Sequence, residues 1–308
     1  MKQGCETMKL VQCVPNFSEG RRPEVIAAIL AAITGVEGVT LLDYKPDADH
    51  NRVVVTFVGE AAVVGEAAFR ATAKAAQLID METHRGEHPR MGATDVIPFV
   101  PLTGATMEDC VGIAEALGER IARELKIPVY LYEKAARRPE RRNLADVRRG
   151  EYEGLKVEIA KEERQPDFGP AELHRSAGAT VVGARPPLVA FNVNLASGDV
   201  KVAKAIAKAV RESSGGLPAV KGLGLMLEAT GQAQISMNMV DFTVTGLHTV
   251  FAAIKLEAAK HGVTIANSEV IGLLPAQAML DVATHYLQLT DFSSEQVLEL
   301  KLAARHEG

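Results

Sequence analysis

Alternation between strand-like and helix-like segments is the feature that most constrains the fold, because it occurs twice along the 308-residue chain. Short runs rich in β-branched residues are typical of strands, and segments whose apolar residues recur at three-and-four spacing are typical of helices. Both halves give the order β-α-β-β-α-β, and the first half adds a helix and a strand. The sequence therefore predicts a mixed α/β (α+β) fold of two ferredoxin-like βαββαβ subdomains, each an open sheet with helices on one face.

The two halves can be followed element by element. In the first half, strands are predicted at 10–14, 39–43, 52–59, 96–102 and 129–132, and helices at 24–33, 61–79 and 106–125. In the second half, strands are predicted at 187–196, 220–229, 232–242 and 268–275, with helices at 199–212, 247–261 and beyond. The stretch 162–187 is rich in Pro and Gly and joins the halves. We predict a tail at residues 1–8, an N-terminal subdomain at 9–180 and a C-terminal subdomain at 181–308.

Composition excludes several classes of protein. The net charge of −5, from 39 acidic and 34 basic residues, argues against a nucleic-acid partner, which requires a basic surface. The longest nearly apolar run, at 25–36, is shorter than the roughly 20 residues that span a bilayer, so we expect no membrane contact and a cytoplasmic location. We interpret the basic stretch 133–150 as a solvated connector, because acidic residues interrupt it. The cysteines form no C-x-x-C pair, and we expect Cys13 and Cys110 in the core.

A histidine-rich stretch, HRGEHPRMGATD at 84–95, is the strongest candidate for chemistry. His84, Glu87 and His88 form the H-x-x-E-H pattern of a group of zinc peptidases, which requires both histidines on one helical face. Gly86 weakens a helix, and Pro89 disfavours the helical conformation of the residue before it. The stretch is therefore predicted to be a loop without metal.

A single histidine in such a loop can carry chemistry without a metal. At neutral pH the imidazole of His88 can accept a proton and return it, and Glu87 or a nearby aspartate could orient its ring. Arg90 could bind an anionic group by a bidentate pair. From the residues alone, this catalytic interpretation and one in which His88 only hydrogen-bonds its loop are about equally supported.

Several long blocks of the sequence resemble a known family. The blocks are VQCVPNFSEGR at 11–21, HNRVVVTFVG at 50–59, GEHPRMGATDVIPFVPL at 86–102, DFGPAELHRSAGATVVGAR at 167–185, AFNVNL at 190–195 and QISMNMVDF at 234–242. They resemble the signature blocks of the glutamate formiminotransferase (glutamate formimidoyltransferase) family. The resemblance begins near Lys9 and covers nearly the whole chain.

The resemblance implies an activity and a fold. Members transfer the formimino group of N-formimino-L-glutamate to N5 of tetrahydrofolate, a co-substrate, in histidine degradation, and no metal is required. Their two α/β subdomains have sheets that face each other around a folate tunnel, in a homodimer. The catalytic histidine of the family falls on His88, whereas His84 falls on a variable position and is expected at the surface. The folate-binding stretch falls on Gly169, Pro170, Ala171, Glu172, Leu173, His174, Arg175, Ser176, Ala177 and Gly178.

A mechanism follows as a hypothesis. His88 would take the proton that the folate N5 loses on attack and would then protonate the departing glutamate nitrogen. Arg52 and Arg90 are candidates for binding substrate carboxylates. The candidates for polar pocket walls are Asn16, Glu19, Asp43 and Asn51. Each of these residues could equally make an ordinary structural contact.

The chain departs from its family at some positions. Lys45 stands where some members have an acidic residue, and Ala177 replaces an aromatic residue that is found in other members. Some relatives carry a following cyclodeaminase domain, and because this chain ends at Gly308, we expect any cyclodeaminase to be a separate partner. Two alternatives remain: a related one-carbon enzyme that uses 5-formyltetrahydrofolate or formylglutamate, and a non-catalytic folate-binding protein.

Overall fold

The computed structural model describes residues 8–48, 50–86, 88–227 and 230–306. Most of the predicted tail at 1–8 therefore lies outside the described residues. The chain divides into two compact units, Met1–Pro186 and Pro187–Gly308. The boundary predicted from the sequence, between 180 and 181, lies slightly earlier, in a stretch that contains a strand of the first sheet.

The first unit is built on a seven-stranded sheet. Its strands are β1 (Leu10–Cys13), β2 (Asn16–Phe17), β3 (Val39–Asp47), β4 (Arg52–Glu60), β5 (Thr94–Pro101), β6 (Val129–Glu133) and β7 (Thr180–Ala184). Its helices are α1 (Pro23–Thr34), α2 (Val64–Leu78), α3 (Met107–Arg120), α4 (Leu144–Val147) and α5 (Glu151–Glu158). The strand order is β3-β4-β1/β2-β5-β7-β6, in which β1 and β2 both lie between β4 and β5. This is the predicted ferredoxin-like arrangement, extended by β7 and β6 in parallel.

Local sequence signals explain the helices of this unit. In α1, Pro23 occupies the first turn, and the predicted apolar stripe, which includes Ile29 and Ile33, is buried. Helix α3 begins with the predicted capping box, in which Thr106 Oγ1 accepts a hydrogen bond from the Asp109 backbone N–H at 3.1 Å and the Asp109 carboxylate accepts one from the Thr106 N–H at 2.9 Å. The helix continues as a π-helical turn over Ile121–Leu125. These predictions are confirmed.

Two apolar cores lie on opposite faces of the first sheet. The main core packs α1, α2 and α3 against one face and buries Cys13 and Cys110, as predicted. A second core places Tyr130 and Val181 against α4 and α5 on the other face. The expectation of helices on one face only is therefore wrong here, because parallel strands that are covered on both sides carry continuous apolar runs rather than an alternating pattern.

The second unit follows the predicted order of elements. These are β8 (Val189–Leu195), α6 (Val200–Val210), β9 (Val220–Leu227), β10 (Gln232–Met239), α7 (Leu247–Lys260), β11 (Ile265–Ile271), α8 (Ala276–Leu287) and α9 (Leu298–His306). The four strands form an antiparallel sheet in the order β11-β8-β10-β9, which confirms the second ferredoxin-like subdomain. Its core lies between one sheet face and helices α6, α7 and α8.

None of the helices within the described residues is both long enough and apolar enough to span a bilayer.

Candidate active site

His88 lies in the predicted loop between α2 and β5. The described residues 84–86 and 88–90 belong to neither a helix nor a strand, which confirms the loop, while Glu87 lies outside the described residues. His88 Nε2 lies 2.6 Å from Arg52 Nη1, and the same Arg52 nitrogen donates to Asn16 Oδ1 at 3.2 Å. The structure thus brings three of the predicted site residues, Asn16, Arg52 and His88, into one hydrogen-bonded row.

The strand pattern explains the position of Arg52. On β4, Val53 and Val55 point into the main core, so Arg52 lies on the opposite face of the sheet. The turn before β4 is held by Asp47, which accepts hydrogen bonds from the His50 backbone N–H at 2.8 Å and the His50 ring at 2.6 Å. The His50 ring meets the His88 ring edge-on, with 6.0 Å between centroids. Sequence reasoning did not identify His50 as a neighbour of His88.

Positive charge surrounds the His88 ring. Burial and the nearby charges of Arg52 and Arg148, together with His50, lower the pKa of His88 to about 2. Burial and the charge of Arg148 also lower the pKa of Arg52, to about 10, so this guanidinium stays charged at neutral pH. His88 is therefore neutral, with its Nε2 lone pair accepting the hydrogen bond from Arg52.

His84 has a structural role in the same loop, and its expected surface position is wrong. Only 7% of the residue is exposed. Its Nε2 donates to the Asn51 carbonyl at 2.9 Å, and its Nδ1 accepts from Arg90 Nε at 3.4 Å. Tertiary contacts, which variability at one position does not reveal, bury the ring.

The zinc alternative has no geometric support in this region. His84 and His88 use their ring nitrogens on different partners, and no helix places them on one face. Within the described residues, no group of three or more His, Cys, Asp or Glu side chains is arranged to hold a metal ion.

Two of the three remaining pocket candidates, Glu19 and Asn51, are bonded to the protein's own groups. Glu19 is buried and accepts from the backbone N–H groups of Arg21 and Arg22 at the start of α1. Asn51 links the Gly20 N–H to the Arg85 carbonyl. Asp43 is half-buried on β3, opposite Thr56 on β4.

Arg90 points to a different set of partners from Arg52. Its terminal nitrogens form ion pairs with Glu151 and Glu153 of α5, at 2.9 and 2.6 Å. The structure does not place Arg90 in the Asn16–Arg52–His88 row.

The stretch 169–178 reaches the His88 loop through its C-terminal end. The Ala93 N–H donates to the Ala177 carbonyl at 2.9 Å, and the Met81 N–H donates to the Ser176 carbonyl at 2.8 Å. A side chain at Gly92 would lie 2.2 Å from the Ala179 carbonyl oxygen, so the close approach of the two segments requires glycine there. The other end of the stretch, 169–172, is exposed.

Sequence reasoning also missed two residues beside the loop, Asp95 and Arg148. The Asp95 side chain is only 2% exposed and pairs with Arg148 through Oδ2, while Oδ1 accepts from the Met91 N–H at 2.9 Å. Arg148 belongs to the basic stretch 133–150, and its side chain is only 13% exposed. The interpretation of that stretch as a solvated connector is wrong for Arg148. The signal available in the sequence was Asp95, a carboxylate at the start of an otherwise apolar strand.

A second polar group lies on the face of the second sheet opposite its apolar core. Asn192 donates to Glu269 at 3.1 Å, Asn194 donates to Asn267 at 2.7 Å, and Gln234 donates to Asn194 at 2.9 Å. Asn192, Asn194 and Gln234 are buried, and they alternate along their strands with core residues.

Comparisons with known proteins identify the class to which this fold and site belong. The formiminotransferase domain, N-terminal subdomain, matches residues 10–185, and the formiminotransferase domain matches residues 190–306. The chain therefore belongs to the formiminotransferase family, and the resemblance stated from its sequence blocks is confirmed.

Individual relatives narrow the comparison. The glutamate formimidoyltransferase of Streptococcus pyogenes serotype M1 is 51% identical over 292 residues, which is 94% of this chain and 98% of that protein. The glutamate formimidoyltransferase of Thermoplasma acidophilum is 48% identical and covers 96% of this chain and 98% of its own length. The formimidoyltransferase-cyclodeaminase of Mus musculus is 48% identical over 90% of this chain, which spans 52% of that longer protein.

Proposed function

We propose that this chain transfers the formimino group of N-formimino-L-glutamate to N5 of tetrahydrofolate, giving 5-formiminotetrahydrofolate and L-glutamate. Two relatives named glutamate formimidoyltransferase, each matched over 98% of its length, support this activity. The structural observation that carries the proposal is the row of Asn16, Arg52 and a neutral His88 in a loop beside the stretch 169–178.

His88 is the proposed proton carrier. The N5 amine of tetrahydrofolate attacks the formimino carbon and forms a carbon–nitrogen bond, which gives a tetrahedral intermediate. His88 takes the proton that N5 loses and returns it to the glutamate nitrogen as the bond from that nitrogen to the formimino carbon breaks. One residue thus acts first as a base and then as an acid, and the protein holds the two substrates together. No metal enters this mechanism.

The folate site is proposed at residues 169–178, whose small residues let a flat ring approach the backbone. Arg52 is the proposed substrate-binding arginine at His88, and Asn16 holds it in place. Roles for Glu19, Asp43, Asn51 and Arg90 as pocket residues stay predictions of the sequence.

Replacement of the proposed proton carrier tests the mechanism. We expect His88→Asn to lower the rate of formimino transfer by about 10²- to 10⁴-fold, the usual contribution of a general acid–base group. Tetrahydrofolate affinity, measured by calorimetry, should stay close to that of the unmodified protein. The matched control is His261→Asn, at an exposed histidine after α7, which should leave the rate unchanged. Near-normal transfer by His88→Asn with normal folate affinity would contradict the mechanism.

The choice of donor separates the alternatives. The purified protein should convert tetrahydrofolate with formiminoglutamate faster than with formylglutamate, as followed in the folate absorption spectrum. Faster conversion with formylglutamate, or activity on 5-formyltetrahydrofolate, would favour the related one-carbon enzyme. Folate binding without turnover on every donor would favour a binding protein.

Partners and location belong to the same proposal. A homodimer is supported by large exposed apolar side chains on α8 and α9, among them Tyr286, Leu287 and Leu298. Sedimentation velocity would test it. A separate cyclodeaminase partner is supported by the fused relatives, of which the Mus musculus protein is one. A cytoplasmic location stays a prediction that fractionation of expressing cells would test.

A further inference from the structure

Two buried guanidinium nitrogen atoms in the His88 region have no hydrogen-bond partner among the described residues. They are Arg52 Nε and Arg148 Nε. Buried polar atoms are nearly always paired, so a group of unpaired donors at one site calls for an explanation. Both atoms are hydrogen-bond donors, so an acceptor is the missing partner.

The chain fixes Arg148 beside the His88 loop. Asp95 pairs with Arg148 through one oxygen and with the Met91 N–H through the other. Two residues of α5 hold the same loop, because the Tyr152 N–H donates to the Arg90 carbonyl at 2.9 Å and Glu153 pairs with the Arg90 guanidinium. Arg148 therefore faces the loop from a segment that is bonded to it at several points.

Arg52 has no carboxylate partner of its own among the described residues. Arg52 and Arg148 are close enough for each positive charge to act on His88, and Arg148 also acts on Arg52. Of the two nearby described carboxylates that act on Arg52, Asp95 is paired with Arg148, and Asp47 is paired with His50. Arg52 is thus a second cation beside Arg148 in a desolvated site, and neither nearby aspartate is bonded to it. Such a cation favours the binding of an anion.

We propose that Arg148 and Arg52 together bind a carboxylate of the glutamate portion of the donor beside His88. This inference rests on the proposed function, which supplies a donor with carboxylates. A guanidinium offers a planar set of N–H donors that matches a carboxylate. Arg90, which the sequence suggested for this role, already has its terminal nitrogens bonded to Glu151 and Glu153.

Binding of the carboxylate would also prepare the base. Arg52 is bonded to His88 Nε2 through the lone pair that must accept the proton. A carboxylate that draws Arg52 to itself frees this lone pair and offsets the two positive charges that act on the ring. Both changes raise the basicity of His88 when the donor is present.

The test measures binding of L-glutamate, which is the product and carries the same carboxylates, to the full chain by calorimetry. Formiminoglutamate kinetics are measured on the same preparations. Arg148→Gln should weaken glutamate binding and raise KM for formiminoglutamate by about tenfold or more, as expected for loss of a charge-assisted bidentate contact. Tetrahydrofolate affinity should change less than about twofold. The matched control is Arg149→Gln, which removes the same charge from the neighbouring exposed position and should change neither quantity.

Two further variants keep the test informative if Arg148→Gln folds poorly. Arg148→Lys retains a charge opposite Asp95 but loses the planar fork, and Arg148→Gln combined with Asp95→Asn removes both charges of the pair. Both should show the raised KM and the weakened glutamate binding with normal circular dichroism. Normal glutamate affinity and KM in Arg148→Lys would overturn the inference.

The proposed function and this inference can fail separately. If the unmodified protein does not transfer the formimino group, the proposed function fails, yet loss of glutamate binding in the Arg148 variants would still support the carboxylate site. If transfer is normal and the Arg148 variants keep normal KM and glutamate affinity, only the inference fails.

Discussion

Arg141 and Arg148 come from the same basic stretch, and each forms a buried ion pair with an aspartate, but the two pairs differ in completeness. The Arg141 and Asp167 side chains are each 4% exposed, and their nitrogen and oxygen lie 2.6 Å apart. Arg141 also donates to the Gln165 carbonyl, and Asp167 also accepts from the Leu131 N–H. In the other pair, Arg148 Nε is buried without a partner among the described residues.

This difference separates a structural pair from a functional one. Because the Arg141 pair has its hydrogen bonds within the protein, it contributes to holding β6 and the chain after α5 together. The Arg148 pair lies next to Arg52 and His88 and leaves a donor unused, which is a cost that a bound ligand can offset. Burial and charge alone do not distinguish the two arginines, but the count of satisfied donors does.

The largest expected effect is on stability at the complete pair. Arg141→Met should lower the free energy of unfolding by about 3 to 5 kcal/mol, because it leaves Asp167 buried and uncompensated. Urea denaturation measures this loss. At a temperature where the variant is folded, its KM for formiminoglutamate should be normal.

A double variant is the control for this prediction. Arg141→Met with Asp167→Asn removes both charges and leaves an amide that can still accept from the Leu131 N–H. The double variant should therefore be more stable than Arg141→Met alone. If Arg141→Met instead folds normally and raises KM as Arg148→Gln is expected to do, the distinction between the two pairs is wrong.

A smaller effect is expected in the pH dependence of stability, and its source near the Arg148 pair is His88. In the folded protein the pKa of His88 is about 2, below the ordinary value of 6.5. Between these values the unfolded chain binds one proton more than the folded chain, so stability falls as pH decreases below about 6.5. His88 should contribute up to about 1.4 kcal/mol per pH unit to this fall.

Comparison of variants isolates this contribution. His88→Asn should reduce the dependence of the unfolding free energy on pH between about 4.5 and 6.5, whereas Arg141→Met with Asp167→Asn, which leaves no titratable group at the complete pair, should not. Burial also lowers the pKa values of His84, His174 and His248, so the unmodified protein alone does not report on His88. Equal slopes for His88→Asn and the unmodified protein would show that the ring is not held neutral.

The elements of the fold were predictable because their signals are local. The stripe of α1, the capping box of α3 and the rhythm of the second unit each depend on residues a few positions apart. The family blocks identified the His88 loop in the same way. What remained hidden were contacts between residues distant in the chain. Arg148 meets Asp95 across 53 positions, and His84 meets the Asn51 carbonyl across 33.

The packing of α4 and α5 against the other face of the first sheet could not be predicted for a related reason. Strand β7 lies in the stretch interpreted as a join, and its five residues are buried on both faces, so they show no alternation of apolar and polar residues. Without that strand, nothing in the sequence pattern places α4 and α5 against the sheet. The burial of Arg141 and Arg148 follows from that packing and could not be predicted before it.

The smallest expected effect concerns Arg149, the immediate neighbour of Arg148. Its side chain is 78% exposed and pairs with Asp146 three residues earlier, on the surface. Such pairs contribute little, so Arg149→Gln should change the free energy of unfolding by less than about 0.5 kcal/mol. KM for formiminoglutamate and affinity for L-glutamate should also be unchanged.

The neighbouring arginines test whether charge or geometry determines donor binding. If general attraction by the basic stretch draws the donor to the protein, loss of either charge should weaken glutamate binding, and high salt should reduce the difference between each variant and the unmodified protein. If Arg148 binds the carboxylate directly, only its loss should matter at low and high salt alike, because Arg149 lies in solvent. Glutamate titrations of Arg148→Gln and Arg149→Gln at two salt concentrations therefore distinguish a binding residue from a charged surface.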